Sequence, residues 1–236
     1  ADGEAHVKDN ESTHNINVDQ VALNKLVVPF GKRAALTLAD GSKVWLNSGS
    51  ILEFPAQFKG KSRDIHLASG EMYIEVSKDR NNPFYVHTNN FDVKVYGTAF
   101  NLTAYSDAPQ AVVLVEGSVS LKSPNHNEVF ISHNERALFS DQGSFTTQTV
   151  NVDHYIGWRL GYLEFEKASM TDVLRQVGRY YNISFDYEQV VELHKRTCTG
   201  RIFLAENIDD VMGAIGVLAN SKYTRQDNKI ILINNK

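Results

Sequence analysis

Eight histidines are spread along this chain of 236 residues: His6, His14, His66, His87, His126, His133, His154 and His194. None forms an HxH or HExxH pair, the spacings that set two ligands on one face of a strand or helix around a metal ion. His66 and His87 alternate with apolar neighbours, which reads as the solvent side of a strand. A zinc or cupin-type iron site would need distant histidines to converge. Glu71 and Glu75 are the pair of carboxylates that invites a glycosidase reading. Four residues apart on a strand they share a face, but at ~13 Å along it they are too far apart to pair directly. Gly60-Lys61-Ser62 imitates the end of a phosphate loop. The first glycine of that loop would fall at Pro55, which has no N–H to offer a phosphate. No Gly-x-Ser-x-Gly nucleophile elbow is present. Cys198 is the single cysteine, so an internal disulfide and a thiolate metal cluster are both excluded. No sequence neighbour gives it a base, and it reads as a buried structural thiol. Asn10, Asn101 and Asn182 each head an Asn-x-Ser/Thr triplet, a pattern too common to carry weight. Lys59, Lys61 and Arg63 alternate. They read as one positively charged face of a solvated edge strand, with an acidic partner as the alternative.

Composition narrows the classes further. Apolar residues make up 42% and the formal net charge is −4. A packed core is expected, and broad nucleic-acid binding, which needs a concentrated basic face, is not. No run approaches the ~18 consecutive apolar residues of a membrane-spanning helix. The first residues, Ala1-Asp2-Gly3-Glu4-Ala5, lack the basic and apolar regions of a signal peptide. Twelve Phe, ten Tyr and two Trp could pack a core or form an exposed carbohydrate platform. A carbohydrate-binding or carbohydrate-active β protein is therefore the rival class.

The elements that would position these residues fall into three segments. Residues 1–26 are acidic and poor in apolar side chains, and read as a flexible linker with late structure near Val18–Leu26. Residues 27–150 have period two. Leu36 and Leu38, Val44 and Leu46, Ile65 and Leu67, Met72, Ile74 and Val76, and Val93 and Val95 alternate with polar or aromatic residues. Turn signals such as Asp40-Gly41, Ser69-Gly70 and Glu116-Gly117 separate the runs. Many short strands imply an all-β domain, as a sandwich, roll or solenoid, with no three-turn helix inside 40–120.

Residues 162–236 change character. Ser169 reads as a helix N-cap, followed by Met170, Val173, Leu174, Val177 and Tyr181 on one stripe. The pattern returns 38 positions later: Asn207 for the cap, then Ile208, Val211, Met212, Ile215 and Ala219. Phe203 echoes Phe165 and Tyr223 echoes Phe185, and Ile231 and Ile233 close a last strand. Helices are expected at 169–181 and 207–219, in a small βαββαβ domain. An RNA-binding sheet shares that order, but its aromatic and basic signature is not evident.

Several motifs in this order resemble those of FecR-like proteins of the Bacteroidetes type. Val44-Trp45-Leu46-Asn47-Ser48-Gly49-Ser50, continuing to Phe54-Pro55, resembles that family's VWLNS signature. Gly70-Glu71-Met72-Tyr73-Ile74-Glu75-Val76 resembles its GEAYFEV, and Pro83-Phe84-Tyr85-Val86-His87-Thr88 its PF-x-V-x-T. Tyr96-Gly97-Thr98-Ala99-Phe100-Asn101 resembles its LGT-x-FN, and Val115-Glu116-Gly117-Ser118-Val119 its EG-x-V. The fold-motif residues are Trp45, Asn47, Gly70, Glu71, Gly97, Asn101 and Gly117. Residues 162–233 are similar to the small domain that follows, itself like the short signalling domain of secretins and TonB-dependent receptors.

The resemblance implies a non-enzymatic relay without a cofactor. It implies the periplasmic portion of a single-pass inner-membrane anti-sigma factor, with residues 1–26 following the transmembrane helix. Its expected partner is the N-terminal signalling domain of an outer-membrane TonB-dependent transporter, SusC-like or siderophore-type. A cytoplasmic segment would hold an extracytoplasmic-function sigma factor. Docking by strand addition is expected at an open edge. Ile230, Ile231 and Leu232 are the first candidate, unless that apolar run is a central strand. Ile202, Phe203 and Leu204 are the next.

Overall fold

The computed structural model describes residues 4–8, 13–17, 23–188, 190 and 193–234. The chain divides into two compact units, Ala1–Val152 and Asp153–Lys236.

The first unit is a sandwich of a nine-stranded and a seven-stranded sheet, and the chain visits them in turn. β1 (Glu4–Lys8) and β2 (Thr13–Asn17) lie in the larger sheet, and β3 (Leu23–Val27) in the smaller. β4 (Ala34–Thr37) and β5 (Lys43–Leu46) return to the larger; β6 (Ile51–Pro55) and β7 (Arg63–Ser69) are in the smaller. β8 (Glu71–Glu75) is in the larger, β9 (Phe84–His87) and β10 (Asp92–Val95) in the smaller. β11 (Ala99–Thr103) and β12 (Ala111–Glu116), then β13 (Val119–Lys122) and β14 (Val129–Ile131), repeat the exchange. β15 (Glu135–Phe139) and β16 (Phe145–Thr149) end the unit in the larger sheet. The larger sheet runs β16-β15-β12-β11-β8-β5-β4-β1-β2, and the smaller β14-β13-β10-β9-β7-β6-β3. Among the described pairs of this unit, β7 with β9 is parallel and the others are antiparallel.

Period two explains the layers. Leu46, Met72, Ile74, Phe100, Leu102 and Leu114 from one sheet and Leu52, Ile65, Leu67, Phe84 and Leu121 from the other are fully buried in one core. Their alternate neighbours point to the other face of each sheet, where Tyr73, Asn101 and Val113 are also buried. Among the described residues no helix falls between 40 and 120, as the alternation requires.

Two expectations change. Residues 4–8, 13–17 and 23–26 are strand rather than linker: β1 pairs with β2 and β4, and β3 with β6. A composition argument for disorder asks whether a segment can build its own core. A strand added to an existing edge needs none, because the sheet supplies the template. Residues 1–3, 9–12 and 18–22 lie outside the described residues. Second, Lys59 and Lys61 precede β7 instead of lying on it, and Arg63 points inward at 4% exposure.

The second unit opens with α1 (Asp153–Ile156) and a 3₁₀ turn, Gly157–Leu160. β17 (Tyr162–Ser169), α2 (Met170–Tyr181) and β18 (Ser184–Asp186) follow. Then come β19 (Thr197–Phe203), α3 (Ile208–Ala219), β20 (Ser221–Gln226) and β21 (Lys229–Asn234). From β17 the order is βαββαββ, the expected pattern with its closing strand. β17 pairs with β19 in one sheet; the other is ordered β18-β21-β20. Both helices bury their predicted stripes, Met170, Val173, Leu174 and Val177 on α2 and Val211, Met212 and Ile215 on α3.

The 38-residue repeat is built from matching local chemistry. Ser169 Oγ accepts from the Asp172 N–H at 3.1 Å, and Asn207 Oδ1 from the Asp209 N–H at 3.0 Å, each satisfying an N-terminal donor of its helix. Asn182 and Asn220 end the helices in the left-handed conformation. Gly178 and Gly216 let the following strand approach: an added Cβ would lie 2.5 Å from the Ile183 carbonyl oxygen and 3.1 Å from that of Ser221. The echo fails at one place. Phe165 is buried, whereas Phe203 is 69% exposed. The β17–β19 register shifts between Phe165 and Ala168, where Lys167 has φ of 49°. That bulge makes Ile202 the inward residue and turns Phe203 out.

Candidate functional site

The fold-motif residues assemble into two corners where the chain crosses between sheets. At the first, β7 ends at Ser69 and β8 begins at Glu71, so Gly70 alone makes the turn. Its φ is 122°, and a Cβ would sit 2.5 Å from Ser50 Cα. Only glycine meets both demands. Ser50 Oγ accepts from the Glu71 N–H at 3.0 Å and donates to the Glu71 carbonyl at 3.1 Å. The Glu71 carboxylate accepts from Asn47 Nδ2 at 2.8 Å, Asn101 Nδ2 at 2.9 Å and Thr103 Oγ1 at 3.3 Å. Asn47 and Asn101 are both buried. Glu71 is thus a bracket tying β5, β8 and β11 together, and Glu75, the other member of the carboxylate pair, lies at the far end of β8.

The second corner joins Gly97 and Gly117. Gly97, at φ 145°, lies against Lys78, and Gly117, at φ 93°, against Thr98. Thr98 Oγ1 donates to the Ser118 carbonyl at 2.9 Å, and the Val76 N–H to the Thr98 carbonyl at 2.9 Å. Trp45 stands opposite Tyr73 in the register of β5 and β8, with ring centroids 5.5 Å apart.

Sequence reasoning missed a third polar node. Arg63 Nη1 donates to Asp40 Oδ2 at 2.7 Å and to the Ser77 carbonyl at 2.8 Å. Its Nε and Nη2 reach the Asn82 carbonyl at 3.1 and 2.9 Å, and the guanidinium lies 5.2 Å from the Phe84 ring centroid. Asp40 also accepts from the Ser42 N–H and hydroxyl. The signal was present: Arg63 is in phase with Ile65 and Leu67, both inward.

His66 and His87 sit on the outer side of the smaller sheet. Register partners cross it as Lys122, Asp92, His87, His66, Glu53 and Lys25. His87 Nδ1 lies 2.7 Å from Asp92 Oδ1 and its Nε2 3.1 Å from Asp64 Oδ1; His66 Nδ1 lies 3.2 Å from Glu53 Oε2. With a carboxylate at each ring nitrogen, the imidazolium is the form that donates to both. Among the described residues no group of three His, Cys, Asp or Glu side chains could hold a metal ion. Partial burial opposes the charge on His87, but the bonds to Asp92 and Asp64 outweigh it and raise its pKa above 6.5. The sign follows: this contribution to stability is fully present below the ordinary histidine pKa and is lost as pH rises through the raised one. In an NMR titration of the imidazole, the His87 midpoint lies above the ordinary value and drops in Asp92→Asn. An unchanged midpoint in that variant would contradict the arrangement.

A groove of about 680 Å³ in the first unit is lined by the amides of Asn89, Asn90 and Gln110, with Phe139 and Asp141 among its other residues. One carboxylate and one aromatic ring do not make the acid–base pair and stacked platform of a carbohydrate-active cleft.

The candidate docking strands separate cleanly. β21 is central: Lys229–Ile231 pairs with β18 on one side, and the whole strand with β20 on the other. Ile230 and Leu232 are fully buried. An open edge at Ile230, Ile231 and Leu232 is therefore wrong, although the strand is fully buried on one face only, with Ile233 36% exposed. β19 differs, for among the described residues β17 is the one strand paired with it. The Leu204 N–H donates to the Gly161 carbonyl at 2.8 Å. In the antiparallel alternation, Ile202 and Leu204 then address β17, while Arg201 and Phe203 direct their main-chain groups outward. Ile202 is buried. Tyr162 and Phe203 meet edge to face at 6.0 Å, and the Arg201 guanidinium lies 4.5 Å from the Tyr162 centroid. Arg201 also pairs with Glu164 at 3.3 Å.

The first unit is thus a β-sandwich whose polar motif residues bind one another, and the second a small βαββαββ unit. Two family models match: FecR protein over residues 24–120, and FecR, C-terminal, over residues 162–232. The chain belongs to the FecR family of anti-sigma factors. Two crystal structures of proteins assigned as anti-sigma factors from Parabacteroides distasonis are similar to it, at 25% and 24% identity. Each has a TM-score of 0.76, with 91% of this chain and 100% of that chain covered. No curated protein sequence matches. Among the described residues, no helix is long and apolar enough to cross a membrane.

Proposed function

We propose that this chain is the periplasmic sensing portion of an inner-membrane anti-sigma factor. Its second unit docks the N-terminal signalling domain of an outer-membrane TonB-dependent transporter. Ligand uptake alters that contact, and the change releases an extracytoplasmic-function sigma factor held by a cytoplasmic segment. The protein works by binding and relay, without catalysis.

The open edge of β19 supports this reading most directly. It presents outward main-chain groups at Arg201 and Phe203, with the exposed Phe203 ring against the half-buried Tyr162. A strand from a partner sheet can add there through main-chain bonds, with side chains choosing the partner. The polar motif residues of the first unit bind one another across strand corners, which suits a rigid transmitting body.

The test is a pull-down of this chain against the signalling domain of the transporter encoded beside it. Retention of that domain, and not of a signalling domain from an unrelated transporter, is the expected result. Failure to retain any signalling domain would remove the transporter from the account.

A further inference from the structure

We infer that β16 is a self-pairing edge, through which two copies of this chain join their nine-stranded sheets in antiparallel fashion. β16 ends the sheet, and among the described residues only β15 pairs with it. Thr146, Thr147, Gln148 and Thr149 are all exposed. The segment 142–152 around this strand carries no charge and no proline. Edge strands are ordinarily guarded by such residues.

The hydrogen-bond phase decides which groups are on offer. The Ser140 N–H donates to the Ser144 carbonyl at 2.9 Å, and the Val150 N–H to the Asn134 carbonyl at 2.8 Å. Between these two bonded pairs the alternation runs through Leu138 with Thr146 and Arg136 with Gln148. Thr146 and Gln148 therefore address β15. Phe145, Thr147 and Thr149 direct their N–H and C=O groups to the open side.

A two-fold axis through Thr147 sets Thr147 against its own copy and Phe145 against Thr149 of the other. Every outward donor then meets an outward acceptor. Under such symmetry a residue faces itself or its mirror position, so a charged strand repels its copy. β3 has Lys25 at its centre, β19 has Arg201, β20 has Lys222 and Arg225, and β18 has Asp186. β14 is uncharged but has only three residues, flanked by Glu128. Thr147 lies at the centre of an edge that combines length, neutrality and matched phase; β2, at the other end of the same sheet, shares the length and lacks Asp, Glu, Lys and Arg but carries His14. A contact this small is below the roughly 1,000 Å² of a stable interface, so the dimer is weak and concentration-dependent.

Sedimentation equilibrium of the full chain, from low micromolar to submillimolar concentration, should show reversible monomer–dimer association. Thr147→Pro removes an outward N–H that β15 does not use, and should stay folded and monomeric. Thr147→Lys places like charges face to face and should shift dimerisation at least tenfold to higher concentration. It decides the matter alone if the proline ring disturbs the strand. Thr147→Cys should form a disulfide-linked dimer under mild oxidation, since opposed bonded positions lie about 5.5 Å apart. Gln148→Cys, which does not face its own copy, should not. A chain that stays monomeric throughout would overturn the inference. So would association that both Thr147→Lys and the cysteine pattern leave untouched. None of these outcomes bears on binding of a transporter domain at β19.

Discussion

Replacing Arg63 by alanine lowers the stability of the first unit by about 3–5 kcal/mol, the cost of leaving one partner of a buried ion pair alone. Arg63 is 4% exposed, and its guanidinium holds Asp40 together with two main-chain carbonyls, those of Ser77 and Asn82. Alanine removes five side-chain hydrogen-bond donors at once and leaves these acceptors in a site walled by Phe84. Lysine restores the charge but not the fork that spans β7, the Asp40 turn and the 77–82 loop, so it recovers only part of the loss. Urea unfolding followed by circular dichroism measures the effect on the first transition. Asp40→Asn combined with Arg63→Ala should cost less than the sum of the two single changes, because each single change strands the other partner. A loss below about 1 kcal/mol, the range of exposed pairs, would contradict the buried assignment.

Glu71→Ala is the second large effect, about 2–6 kcal/mol, at roughly 1–3 kcal/mol for each of two buried amides left without an acceptor. Asn101 and Asn47 are 1% and 7% exposed, and both donate to this carboxylate. Glu71→Gln keeps one acceptor but presents an amide donor to another donor, and should fall between wild type and alanine. The same urea titration distinguishes a structural bracket from a catalytic acid. Stability tracks the number of acceptors retained.

Much of the architecture could be read from the chain because burial and period agree. Leu46, Met72, Ile74, Ile65 and Leu67 alternate with outward residues, and the helix caps Ser169 and Asn207 lie where local hydrogen bonding puts them. Three features escaped, each for a physical reason. Residues 4–8 and 13–17 add to an edge that other strands create, so their own composition gives no sign of it. Arg63 looks solvated by residue type, and only its phase with Ile65 and Leu67 betrays burial, since its partner Asp40 is 23 positions away. Phe203 follows Phe165 in the repeat, yet one extra residue at the Lys167 bulge reverses its face. The corner motifs were recognisable as turn-forming residues. That Asn47 and Asn101 converge on Glu71 follows from the register of β5, β8 and β11, a long-range property that spacing alone does not encode.

The most direct measurement is calorimetric titration of this chain with the purified signalling domain of the TonB-dependent transporter proposed as its partner, alongside amide hydrogen exchange. Saturable one-to-one binding is expected, with slowed exchange at Arg201 and Phe203, whose N–H groups face outward in the free chain. Phe203→Pro, at a position whose N–H is not used by β17, should keep the circular dichroism spectrum and abolish binding. Binding of undiminished strength in a folded Phe203→Pro chain, with protection confined to other strands, would contradict docking at β19.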